Sequence, residues 1–433
     1  MKKIISFCLL FVSLSSFGQD IEYARRIIYT LSSATLAGRG YVKDGDKKAS
    51  EFIAGQFSRY NLGRFGGNYF QPYSFPMNTF PGNMRLMINK NQLNPGEQFI
   101  TWVCSPAMTG KYKVETLSKK IMSDPKSLRK FEAKKHKSRL VLVDKTGIDD
   151  KKIIAYTDSL KTTNFIHARG FLFTIDKKPV WSVSAGAIQH DYVSMEVIKE
   201  FIPKKVSTVC VDIESNFVPQ HKTQNVIGFV RGWIAPDTFL VFTAHYDHLG
   251  WMGNQTRFPG ANDNASGTAM VLDLARHYAR SDSHPYYSMV FILLSGKEAG
   301  LKGSYYFCGH PLFPLKNIKM LVNLDMVGTG SEGISMVNGT IFKSAFDRML
   351  SINKEKNYVP DIRAGGEGCN SDHCPFYQRG VPSVFVFTRG NEFTEYHNPR
   401  DISATLPLTR YTDVFRLMRD FMDSFSKEST QKN

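Results

Sequence analysis

TFLVFTAHYDHLG, residues 238–250, runs from an apolar strand pattern straight into a cluster of polar groups. TFLVFTAH (238–245) has the near-continuous apolar character of a strand buried on both faces. It ends on His245, and Tyr246, Asp247 and His248 follow. Further on, SGTAMVLDLARHYAR (266–280) carries a helical stripe of Met270, Val271, Leu274 and Tyr278. NVIGFV (225–230) precedes this unit, and MVFILL (289–294), MLVNLD (320–325) and PSVFVFT (382–388) follow as further strand candidates. Apolar strands alternating with helices predict an α/β fold: a mixed, mainly parallel sheet flanked by helices on both faces.

The flanks extend the pattern. Residues 20–32 and 45–60 have helical spacing, with Ala49, Phe52, Ile53 and Phe57 on one stripe, and LAGRG between them reads as a loop. YTDVFRLMRDFMDSF (411–425) predicts a helix packed on the sheet, with the polar tail SKESTQKN expected to be mobile. From about 101 to 221 the texture changes. RLVLVD (139–144), GFLFTI (170–175) and STVCVDI (207–213) alternate with lysine-rich stretches, which predicts an inserted β-rich domain with no catalytic constellation. The expected organisation is therefore a signal peptide at 1–18, the first part of the main domain at 19–100, the insert at 101–221, and the rest of the main domain at 222–433.

The first residues, MKKIISFCLLFVSLSSFGQD, have the charged start, apolar centre and small-residue end of a secretory signal, with cleavage after Gly18. An exported protein, periplasmic or secreted, is expected. No later apolar run is long enough to span a membrane. Five of the six cysteines lie beyond the signal, an odd number, so at least one thiol is free or bonded to another molecule. Cys104 and Cys210 flank the middle segment and are a candidate pair, and no CxxC pair supports a cysteine zinc site. The formal charge is +16, and removing two signal lysines leaves 53 basic against 39 acidic residues, or +14. That excess suits acidic partners. The lysines are dispersed and no nucleic-acid-binding motif occurs, so they read as a solvated surface.

Ligands of such a sheet sit beyond the carboxyl ends of its strands. There the sequence delivers His245, then Asp263 in PGANDNASG, Glu298 after MVFILL, Asp325 after MLVNL, and His397 in NEFTEYHNPRD. Two imidazoles and three carboxylates suit Zn²⁺, with Mn²⁺ and Co²⁺ as chemical alternatives. If one carboxylate bridges, they suffice for two ions that clamp a water and polarise a carbonyl. Each residue alone has an ordinary explanation: Asp263 as a helix N-cap, His248 as a loop histidine with no metal. Their joint occurrence at successive strand ends favours a metal site.

AHYDHLG, GANDNASG, GKEAGLKGS, NLDMVG, SDHCPF and YHNPRD occur in that order between residues 245 and 401. Together they resemble the co-catalytic zinc aminopeptidase family, which also holds glutamate carboxypeptidase-like and glutaminyl-cyclase-like members. The inserted segment resembles a protease-associated domain by position and β character. The resemblance implies a metallo-exopeptidase acting on peptides and using zinc, two ions expected with one as the alternative. It implies that His245 and Asp325 hold one ion, Glu298 and His397 the other, and that Asp263 bridges. Asp247 would accept the second N–H of His245. Tyr396 would hydrogen-bond the oxyanion of a tetrahedral intermediate, against the plainer reading of a core tyrosine.

One position departs from the family. Where its pattern is Glu-Glu, this chain has Lys297-Glu298. The first glutamate is the family's general base, and a lysine protonated at neutral pH cannot accept a proton. Losing a general base costs about 10²–10⁴-fold. Four outcomes follow: a base relocated to Glu367 or Asp372; a neutral Lys297 amine as base, its pKa depressed by neighbouring cations; a pseudopeptidase that binds metal and peptide without cleavage; or a glutaminyl-cyclase-like acyltransferase.

Overall fold

The computed structural model describes residues 20–280 and 282–430, so the expected signal at 1–18 lies outside the described residues. Its main sheet has eight strands: β1 (Phe70–Thr79), β2 (Asn216–Val230), β3 (Ala235–His245), β4 (Tyr287–Leu294), β5 (Ile318–Leu324), β6 (Gly333–Val337), β7 (Ile362–Ala364) and β8 (Ser383–Arg389). Their order across the sheet is β1-β2-β4-β3-β5-β8-β6-β7. The β4-β3-β5-β8 centre is parallel, as is the β6–β7 pair. The other pairings are antiparallel. The sheet is therefore mixed and mainly parallel.

Alternation along the central strands decides which helix covers which face. Leu240, Phe242 and Ala244 of β3 point into one core, with α1 (Ile21–Leu31), α2 (Gly45–Arg59), α3 (Gly267–Tyr278), α5 (Lys343–Lys356) and α6 (Tyr411–Thr430). Phe239 and Val241 point the other way, onto Phe307 of α4 (Lys302–Gly309) and Phe376. Local chemistry agrees with the helix starts: the Asp20 carboxylate accepts from the N–H groups of Glu22 and Tyr23 and caps α1. The end of α6 differs from the sequence expectation. The helix continues through the polar SKEST segment to Thr430 instead of stopping at 425.

A second eight-stranded sheet is formed by the segments Asn91–Leu93, Met84–Ile88, Thr208–Ile213, Met108–Leu117, Arg139–Val143, Gly170–Ile175, Val193–Ile198 and Phe99–Thr101, in that spatial order. It begins at Met84, ahead of the boundary expected at 101, because Met84–Ile88 pairs with Thr208–Ile213. It ends before 221, because β2 already pairs with β1 from Asn216 onward. Helices Pro125–Glu132 and Lys151–Thr163 pack on this sheet through Phe131 and Leu160. Its other face shares one core with Leu249, Met252 and Phe258, which follow β3.

Cys104 and Cys210 do not pair. Cys210 lies on the more exposed face of Thr208–Ile213, whereas Cys104 is buried with its thiol directed at the Ala185 carbonyl. The disulfide joins Cys369 and Cys374 instead, and Cys104, Cys210 and Cys308 are free. Among the described residues no helix is long and apolar enough to cross a membrane.

Candidate metal centre

Parallel neighbours end at the same edge of a sheet, and here that edge gathers the five residues. His245 is the last residue of β3, Asp325 follows β5 directly, Glu298 follows β4, and His397 lies beyond β8. Asp263 sits in the irregular helical turn Ala261–Ser266, ahead of α3, so it is not that helix's N-cap. His245 Nε2 lies 3.3 Å from Asp263 Oδ1 and 3.3 Å from Asp325 Oδ1. His397 Nε2 lies 2.9 Å from Asp263 Oδ2 and 3.3 Å from Glu298 Oε1. Asp263 therefore faces both halves, one oxygen to each.

Two observations test whether these residues fit a metal. Ligands about 2.0–2.1 Å from a tetrahedral ion are spaced about 3.3–3.4 Å from one another, close to the distances seen here. All six inward atoms (Nε2 of both histidines, both oxygens of Asp263, Glu298 Oε1 and Asp325 Oδ1) are buried without a hydrogen-bond partner. Buried polar atoms are rarely left so, and six gathered on the two sides of Asp263 have the chemistry of a cation site. The outer bonds agree. His245 Nδ1 faces the Asp247 carbonyl at 3.0 Å and His397 Nδ1 faces the Trp181 carbonyl at 2.8 Å. A carbonyl only accepts, so in the neutral ring Nδ1 carries the hydrogen and Nε2 keeps its lone pair for the centre. Ser371 Oγ donates to Asp325 Oδ2 at 2.8 Å and leaves Oδ1 inward.

The potential here is strongly negative. Burial opposes charge on His397, yet Glu298 and Asp263 outweigh it and push its pKa up to about 10. Lys297 meets the same field. Its Nζ lies 3.7 Å from Asp263 Oδ1, 3.6 Å from Glu298 Oε1 and 3.6 Å from Asp325 Oδ2, and its side chain is only 11% exposed. Burial favours the neutral amine, but the three carboxylates reverse that and raise the pKa well above the ordinary value. These protein groups push it away from the neutral-amine base, which needs the opposite shift.

Asp247 differs in detail from its expected role. Its carboxylate is 3.7 Å from His245 Nδ1, out of hydrogen-bond range, and the backbone carbonyl takes that place. The carboxylate instead accepts from Tyr41 Oη at 2.6 Å, Lys297 N at 3.2 Å and Glu298 N at 3.1 Å. It thereby pins the Lys297-Glu298 backbone. Tyr396 is no core residue. It is 40% exposed, and its ring stacks on His397 with centroids 3.9 Å apart. Of the two alternative bases, Glu367 is exposed and bonded to Tyr377. Asp372 is buried, with Oδ1 accepting from Ser304 Oγ at 2.6 Å and Oδ2 unpartnered. Burial pushes its carboxyl up to about 7.

Four residues to which the sequence reading gave no part in the centre surround it. Arg39, read as part of a loop, is fully buried and donates to five carbonyls, those of Leu31, Tyr246, Pro259, Gly260 and Asp263. It ties the loop after β3 to the turn that bears Asp263. Its neighbour Gly40 abuts Gly250, where a Cβ would overlap the opposing backbone. Asp401 accepts from Asn262 N at 2.7 Å and Asp263 N at 3.0 Å, which fixes the turn. Trp181, from the second sheet's side, holds His397 from both sides: its carbonyl faces Nδ1, and its N–H donates to the His397 carbonyl at 3.1 Å. His248, expected to be a satisfied loop histidine, has neither ring nitrogen hydrogen-bonded, and its Nδ1 is 3.4 Å from Glu298 Oε1. Only the RG pair in LAGRG and the Asp ending YHNPRD offered a signal, since Trp181 and His248 acquire their places through folding.

Comparison with known proteins agrees with this geometry. Residues 225–422 match peptidase family M28. Aminopeptidase YwaD of Bacillus subtilis is 34% identical over 188 residues, covering 41% of this chain and 39% of that protein. A probable zinc metalloprotease of Leptosphaeria maculans is 36% identical over 116 residues, 26% of each chain. The chain thus spans well under half the length of these relatives. The crystal structure of BSAP, a zinc aminopeptidase from Bacillus subtilis, superposes with a TM-score of 0.71, covering 94% of this chain and 95% of that one at 19% identity. At that identity the likeness concerns the fold.

Proposed function

We propose, for a chain whose residues 225–422 match peptidase family M28, that it is an exported zinc-dependent exopeptidase acting at peptide N-termini. The observation that carries this reading is the set of six unpartnered, buried donor atoms spanning Asp263. His245 and Asp325 would hold zinc on one side, His397 and Glu298 on the other, with Asp263 between. When bound, zinc supplies a Lewis acid for the scissile carbonyl and an acidified water.

The chain's own residues then orient and move protons. Tyr396, partly exposed and stacked on His397, would donate to the oxyanion of a tetrahedral intermediate. The Lys297 ammonium, 3.6–3.7 Å from three carboxylates, cannot accept the proton. Asp372 is the better of the two relocated bases, because its carboxyl near 7 and unpartnered Oδ2 suit proton exchange at neutral pH. A second reading, metal and peptide binding without cleavage, is favoured by the Lys297 ammonium standing 3.6–3.7 Å from three carboxylates.

Purified protein assayed with aminoacyl p-nitroanilides and dipeptides, with metal content measured on the same sample, separates the two. Turnover abolished by chelation and restored by zinc is expected. Lys297→Glu should raise it by about 10²–10⁴-fold by restoring a local base. Asp372→Asn should remove the parent's residual activity with metal retained. A silent parent and an active Lys297→Glu would replace the peptidase reading with the binding one.

A further inference from the structure

Lys297 sits among the inward donors instead of pointing to solvent, and that placement bears on metal content. We infer that its ε-ammonium is a resident cation of the centre, standing in for the charge of one divalent ion, so that the site holds one zinc rather than two. The inference rests on the zinc reading above and adds the stoichiometry.

Charge and place both support it. Two zinc ions bring four positive charges. Four carboxylates, with glutamate at position 297, would balance them. This chain offers three, Asp263, Glu298 and Asp325, between two imidazoles that bind as neutral ligands. One divalent ion and one ammonium balance three carboxylates, whereas two ions and an ammonium leave an excess of two positive charges. The comparison does not depend on outer groups such as Asp247 and Arg39, because they are common to both cases. Exchanging glutamate for lysine changes the centre by about two charge units, which is the charge of one divalent ion.

The contacts show that the ammonium straddles the centre. It lies 3.7 Å from Asp263 Oδ1, which faces His245, and 3.6 Å from Glu298 Oε1, which faces His397. Both atoms lack hydrogen-bond partners and are the donors that two metals would share out between them. The Lys297 backbone N–H is pinned by Asp247 at 3.2 Å, so the side chain starts from a fixed point next to Glu298. At these separations the ammonium makes ion pairs with the carboxylates without tight hydrogen bonds.

The test uses the full mature chain, stripped of metal and titrated with zinc, with bound metal counted by elemental analysis and affinity by a chromogenic chelator. The parent should bind one zinc tightly, and Lys297→Glu two. Thermal melting gives a second readout. In chelator, Lys297→Met should melt below the parent, because its three carboxylates lose their counter-charge, and zinc should close the gap. Circular dichroism checks that both variants fold. Two zinc ions bound to the parent with the affinity seen in Lys297→Glu would overturn the inference and leave the zinc reading standing. Equal melting of the parent and Lys297→Met in chelator would also overturn it. No zinc bound by any of the three would overturn both.

Discussion

Arg39 shows what a single side chain contributes here. Its guanidinium is fully buried and makes its hydrogen bonds to backbone carbonyls, so its charge is solvated by peptide dipoles. Burial lowers its pKa to about 10 against the pull of Asp401 and Asp263, so it stays charged at neutral pH. Arg39→Met keeps the stem and takes a donor from five buried carbonyls, of which Gly260 keeps one from the Ala265 N–H. We expect a loss of roughly 3–5 kcal/mol, the range for breaking a buried charged network from one side. Urea midpoints at constant slope measure it, and a loss below about 1 kcal/mol would show that water replaces the guanidinium. The sequence held this residue in plain view, as an arginine between glycines. It gave no hint of burial, because the carbonyls that solvate it come from three separate segments, at 31, 246 and 259–263.

At the scale of an element, α3 was legible and one of its residues was not. The stripe Met270, Val271, Leu274 and Tyr278 marked it, and all four are buried against the sheet or its covering helices. His277, on the same helix, packs edge-on to Phe415 of α6. Burial, with Arg419 and Arg280 nearby, lowers its pKa to about 4. The unfolded chain takes that proton near pH 6.5. Between the two values the unfolded state binds more protons, so stability falls as pH drops from about 6.5 towards 4. His277→Gln should flatten this part of a stability–pH curve and leave the region above pH 7 unchanged. An identical slope in the variant would place the titration elsewhere, with His373, also lowered to about 4 by burial, as the next group to replace.

At the scale of the whole molecule, the two sheets meet at the metal centre. Trp181 reaches His397 with its backbone and packs its ring, tilted, on Phe258, with centroids 4.8 Å apart, while its indole N–H donates to the Thr101 carbonyl at 2.8 Å. Zinc bound through His397 should therefore slow amide exchange in residues 180–184 as well as in 245–248. Hydrogen exchange with and without zinc measures this, and protection confined to 245–248 would show that the sheets are uncoupled. The main sheet, its helices and the gathering of five candidate donors at one edge could be read in advance, because apolar periodicity and strand-end polar residues are local features of the chain. The start of the second sheet at Met84 could not, since a short strand there is defined by pairing with Thr208–Ile213, more than a hundred residues away. The sequence by itself determined an α/β sheet with His245, Asp263, Glu298, Asp325 and His397 along one edge, and a lysine where a glutamate was expected. Only the tertiary structure decided that the lysine's ammonium turns into those carboxylates, and that Arg39, Asp401 and Trp181 hold the ligands, because electrostatic field and hydrogen-bond reach are set by distances that exist only after distant segments pack.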